Sequence, residues 1–130
     1  MTRIQILVAV LLGAMATGSE AQQSSANILF TTDLPDIDGR EAVVLEVVYP
    51  PGVASASHRH NAHTFVYVLE GSVVMAVAGG EEKTLGVGET FYESPNDIHS
   101  VSRNASNTEP AKILVFFIKR EGAPMTVPAP

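Results

Sequence analysis

The apolar residues of this chain come in short runs rather than in the long 3.6-residue period of an amphipathic helix. Glu41 to Tyr49 (EAVVLEVVY) is rich in valine. His63 to Leu69 (HTFVYVL) and Ser72 to Val77 (SVVMAV) are β-branched and aromatic. Thr90 to Tyr92 is a short segment, Ile98 to Ser102 alternates, and Ala111 to Lys119 (AKILVFFIK) is nearly all apolar. These are strand compositions. Pro50-Pro51-Gly52, Glu70-Gly71, Gly79-Gly80, Gly86 and Gly88, and Pro95-Asn96-Asp97 separate the runs. Gly79-Gly80 is a hairpin signal. Many short strands with frequent turns predict an all-β sandwich or barrel.

The ends differ from this body. Arg3 precedes an almost continuous apolar run, Ile4 to Ala16, and Ser19-Glu20-Ala21 offers small residues at the two positions a signal peptidase reads. The stretch 1–21 is therefore expected to be a secretory signal peptide, and the mature protein periplasmic or secreted. The apolar run is short for a membrane span of about 20 residues, so no membrane association is expected after cleavage; a retained N-terminal anchor is the alternative. Gln22 to Asn27 is polar and small and reads as a flexible lead-in. Residues 22–40 should hold that lead-in and a first strand, 41–120 the barrel, and 121–130 a proline-rich tail. The tail should pack as an extended arm or stay loose.

Composition narrows the chemistry. There is no cysteine, so disulfides, thiolate catalysis and cysteine-ligated zinc are excluded. A secreted chain of this size often relies on disulfides; this one must rely on its core, on a metal or on self-association. The formal charge is −6, with 8 basic residues against 14 acidic. No basic cluster exceeds Lys119-Arg120, and phosphate backbones require a positive surface. Nucleic acid is not an expected partner.

The four histidines are the candidate chemistry. His58, His60 and His63 lie close together, and His99 follows the Pro95 turn. Neutral imidazole is a common metal ligand. Residues two apart on a strand share a face, so His58 and His60 project together if Ser57 to Asn61 is extended. His99, from another strand, would supply a third nitrogen. A pair of surface histidines on an edge strand is the plainer reading of His58 and His60. Glu93 is a carboxylate just before the Pro95 turn that leads to His99. It is a candidate acid/base group or a partner that orients an imidazole, or else a strand-end surface glutamate. Phe65, Tyr67, Phe91, Tyr92, Phe116 and Phe117 read as core or dimer packing. Asn104-Ala105-Ser106 is a glycosylation sequon, a triplet common by chance.

Gly52, His58-Arg59-His60, Thr64 and Tyr67-Val68-Leu69-Glu70-Gly71 together resemble the first motif of the cupin superfamily. Gly88, Pro95, His99 and Asn104 resemble its second motif, with slightly shifted spacing and with its second glycine replaced near Asp97. The resemblance runs from about Glu41 to Lys119. It implies a double-stranded β-helix, or jelly-roll, barrel that often pairs into a homodimer. It also implies one divalent transition metal (iron, manganese, nickel, copper or zinc) held by His58, His60 and His99. The motif's glutamate ligand falls at Thr64, where a neutral hydroxyl is a poor substitute. His63 is then a candidate fourth ligand, or a group that binds substrate or shuttles protons near the metal. Strict alternation puts it on the opposite face from His60, unless the intervening loop resets the parity.

Three protein ligands leave positions open, as in catalytic sites. The function implied is a metal-dependent enzyme acting on a small molecule: a quercetinase-like dioxygenase, a lyase or an isomerase. The absent glutamate counts against the quercetinase reading. The alternative is a non-catalytic periplasmic cupin that binds a metal or a small ligand.

Overall fold

A computed structural model describes residues 22–130; the expected signal peptide lies outside the described residues. Ten strands and no helix make up that part of the chain. They are β1 (Ser25–Asp33), β2 (Arg40–Tyr49), β3 (His58–Arg59), β4 (His63–Glu70) and β5 (Val73–Val77). Then follow β6 (Lys83–Leu85), β7 (Thr90–Glu93), β8 (His99–Asn104), β9 (Ala111–Arg120) and β10 (Val127–Pro128). One sheet has the order β1-β2-β9-β4-β7 and the other β10-β3-β8-β5-β6. Every named pairing is antiparallel.

Alternation of buried and half-buried residues fixes which face each strand turns inward. On β9, Ala111, Ile113, Val115, Phe117 and Lys119 are buried while the residues between them are not. On β4 the inward set is Thr64, Val66 and Val68. These meet Val73, Met75 and Leu85 of the second sheet in one core. A one-residue slip of β4 would exchange Val66 and Val68 for Phe65 and Tyr67, so register is tightly specified.

Two joints hold the sheets in place. Gly71 carries the chain from β4 to β5 with φ +68, and an added Cβ would lie 2.5 Å from the Pro110 carbonyl oxygen. Both the dihedral and the close approach require glycine. Buried Asn104 donates from Nδ2 to the carbonyls of Tyr49, Pro50 and Glu109 and accepts from Ser106 N–H. It secures the turns between strands, and its amide nitrogen is committed to those bonds rather than open to a glycan.

The structure departs from the sequence expectation at the lead-in and decides between the two expected states of the tail. The lead-in is strand from Ser25, paired Ser25↔Val48 through Asp33↔Glu41. Its small polar residues need no apolar alternation because both faces of this edge strand are exposed; the ladder to β2 holds it. The tail takes the arm conformation. Lys119, buried and paired with Glu41, donates to the Ala123 carbonyl at 2.7 Å. The ammonium also holds the Glu41 carboxyl below the usual carboxylate range. Beyond this anchor β10 pairs with β3, Val127 opposite Arg59 and Pro128 opposite His58. The three-residue β6 was not foreseen, since Lys83-Thr84-Leu85 is too short to show a period.

Candidate metal centre

Ladder register brings the site together from segments far apart in the chain. In the second sheet His58 of β3 is the direct partner of His99 at the start of β8. In the first sheet Thr64 of β4 is the direct partner of Glu93 at the end of β7. His60 follows β3 and turns its ring onto Phe117 of the core, with centroids 4.7 Å apart. These side chains line a largely apolar cavity of about 560 Å³ between the sheets, which Met75 and Val115 also border.

Three histidines converge there. His58, His60 and His99 each offer a ring nitrogen, all within 4.8 Å of one another. Two of the rings have fixed tautomers. His58 Nδ1 lies 2.7 Å from the Ala56 carbonyl oxygen, and His60 Nδ1 lies 2.8 Å from that of Met125. A carbonyl can only accept, so both Nδ1 atoms carry hydrogen. In the neutral rings both Nε2 atoms then present lone pairs, and they stand 3.1 Å apart. Two lone pairs at that distance repel unless a cation lies between them. Burial, with a smaller contribution from His58, pushes His60 down to about 4, which keeps that ring neutral. His99 is pushed down to about 3, by burial first and then by His58 and His60. A divalent metal fits this donor set.

Glu93 completes the inner surface. It is 2% exposed. Its Oε2 lies 3.1 Å from His99 Nδ1 and 3.9 Å from His60 Nε2. Oε2 and both nitrogens of His99 have no hydrogen-bond partner among the described residues. Such orphaned polar atoms are costly in a buried site. Burial, with the charge of Asp97 adding to it, pushes the Glu93 carboxyl up to about 8. Without a cation this group is an uncharged acid at neutral pH. Thr64, fully buried beside it, turns its hydroxyl to the Ala62 carbonyl at 3.3 Å.

His63 is not brought to the site. It is exposed on the outer face, and its Nδ1 lies 2.7 Å from the Tyr92 hydroxyl. Its ring stacks on that of Tyr92, 6.1 Å between centroids. The parity argument explains why. The turn through Ala62, with Asn61 at φ +50, preserves alternation, so Thr64 points inward with His60 and His63 points out. The expectation that His63 is a metal ligand or catalytic group is therefore corrected. Met125 was missed by sequence reasoning. Its contribution is a backbone carbonyl, which residue type does not reveal.

Residues 45–117 match the cupin domain family model. The chain belongs to the cupin family. No curated protein matches it by sequence. Solved structures resemble this cupin in fold. An uncharacterised double-stranded β-helix protein from Klebsiella pneumoniae is 20% identical with a TM-score of 0.65, covering 86% of this chain and 89% of its own. The DMSP lyase DddQ from Ruegeria pomeroyi is 20% identical with a TM-score of 0.59, over 68% of this chain but only 43% of its own. An oxalate oxidase in complex with glycolate is 21% identical with a TM-score of 0.61, over 81% of this chain and 54% of its own.

Proposed function

We propose that this cupin is an exported metalloenzyme that transforms a small oxygen-bearing molecule at a site held by His58, His60 and His99. The observation that carries the reading is the pair of Nε2 atoms facing each other at 3.1 Å with both Nδ1 hydrogens already committed to carbonyls. A bound divalent transition metal would supply Lewis-acid polarisation of a substrate oxygen or, with a redox-active ion, dioxygen chemistry. The chain's own residues shape the rest. Phe117, Val115 and Met75 give the cavity apolar walls, which keep bulk water from the polar cluster and suit a substrate with a hydrocarbon portion. The Ala56 and Met125 carbonyls hold two imidazoles in the tautomer that frees Nε2.

Two of the similar folds carry names of enzymes acting on small molecules, a DMSP lyase and an oxalate oxidase; fold likeness lends support by analogy only. Lyase, isomerase and dioxygenase-like reactions all belong within this reading. Export rests on Arg3, the apolar run Ile4 to Ala16 and the small residues before Gln22. A homodimer would cover the aromatic residues exposed on the outer face of the first sheet.

The test is elemental analysis of mature protein purified from its native compartment without added metal. About one transition-metal ion per chain is expected, and the His58→Ala protein should lose it. Substoichiometric metal even after reconstitution, with no change on His58→Ala, would overturn the reading. Ligand-induced thermal stabilisation without turnover across a broad substrate panel would favour a binding cupin instead.

A further inference from the structure

We infer that Glu93 is the fourth protein ligand of the metal, reaching the site from the strand beside Thr64. The inference rests on the metal reading of the three histidines and specifies how that site is completed. Three observations carry it. First, Thr64 and Glu93 are direct partners across β4 and β7. Such partners have Cβ atoms about 5 Å apart on the same face, so a long side chain on one strand reaches the space before the other. Second, Thr64 does not use that space itself, because its hydroxyl is turned to the Ala62 carbonyl. Third, the Glu93 carboxylate oxygen is buried and unpartnered while lying 3.1 Å from one histidine nitrogen and 3.9 Å from another.

The 3.1 Å between Oε2 and His99 suits two ligands of one ion, while the 3.9 Å to His60 would have to shorten as an ion binds. Metal–nitrogen and metal–oxygen bonds of about 2.0–2.2 Å place neighbouring donor atoms about 3 to 3.5 Å apart. Donors that share an ion aim at the ion rather than at each other. Oε2 and His99 Nδ1 show this arrangement: close enough for a hydrogen bond, without the alignment of one. A carboxylate whose task was to orient His99 would align with the ring N–H. As a ligand, Glu93 would lower the net charge of a divalent site from +2 to +1. It also joins the first sheet to a cluster otherwise supplied by β3, β8 and the residue after β3.

Cobalt(II) titration of the mature chain, followed by visible d–d absorption and by calorimetry, tests this. Glu93→Gln keeps the size of the side chain and an acceptor oxygen but removes the anionic ligand. It should weaken cobalt binding by about tenfold or more and alter the d–d bands. The paired substitution Glu93→Thr with Thr64→Glu returns the carboxylate to the same space from the other strand and should regain most of the affinity. Thermal melts of each metal-free variant establish that it folds; if the paired variant does not, the Glu93→Gln spectrum decides alone. Wild-type bands in Glu93→Gln, at any affinity, would overturn the ligand role. If folded wild-type protein binds no cobalt, the metal reading of the histidines itself fails, and the two failures are distinct.

Discussion

At the scale of single residues, burial sets opposing titrations against each other. The Glu93 carboxyl is pushed up to about 8 from 4.5, so its contribution to stability is full below about pH 4.5 and is lost as pH rises through 8. His60 and His99 are pushed down to about 4 and about 3 from 6.5, so their contributions are present above pH 6.5 and are lost as pH falls. Two histidines outweigh one carboxyl on the acid side. The melting temperature of chelated protein should therefore peak near pH 6.5 and decline towards pH 8. Glu93→Gln should abolish the decline and keep the acid-side rise. Calorimetric scans from pH 5 to 8.5 decide it, and a chelated wild type that is flat above pH 6.5 would contradict an uncharged buried Glu93. The sequence made His58 and His60 legible through strand parity and the surrounding motif. Glu93 was legible as a candidate beside an imidazole, but its place opposite Thr64 was not, because that contact runs across a ladder to a segment nearly thirty positions away. His63 was a wrong candidate for a physical reason: sequence proximity to His60 says little where alternation turns the side chain outward.

The elements carry a second lesson in the C-terminal arm. A proline-rich tail shows no periodicity, and the sequence left open whether it packs. It packs because Lys119 anchors the turn at Ala123 and β10 finds an edge on β3. Its functional contribution is the Met125 carbonyl that accepts from His60 Nδ1. Ending the chain after Ala123 keeps the anchor but removes this acceptor and β10. The shortened protein should fold, and cobalt affinity should drop by about tenfold, the usual cost of losing a group that orients a ligand. Isothermal titration beside the full-length chain measures it, and equal affinities would show that the arm does not hold His60. The strands of the barrel were more legible. Runs such as Ala111 to Lys119 and His63 to Leu69 were visible from composition because each has an apolar face to bury. Short strands such as β3 and β6 are held by neighbours and carry little pattern of their own.

For the whole molecule, the all-β class followed from many short strands and regular turns and the jelly-roll barrel from the resemblance to cupins, while the outer surface followed from neither. The outer face of the first sheet exposes Phe65 at 44%, Tyr67 at 44% and Tyr92 at 48%. Phe65 lies between Tyr92 and Phe116, with ring centroids 5.2 and 6.0 Å away. This aromatic surface is the one that the proposed homodimer would cover. Sedimentation velocity of the mature protein should show a dimer. Phe65→Lys should shift it to monomer without changing metal stoichiometry, since Phe65 faces away from the cavity. A monomeric wild type at micromolar concentration would rule this association out.

The contact between Glu93 and His99 spans the seam between the two sheets. An ion shared by these residues would be a cross-link in a chain that has no cysteine. Such a staple ignores the redox state of its surroundings, unlike a disulfide. It yields instead to chelators and to acid, so the durability of the folded protein would follow metal supply and pH rather than oxidation.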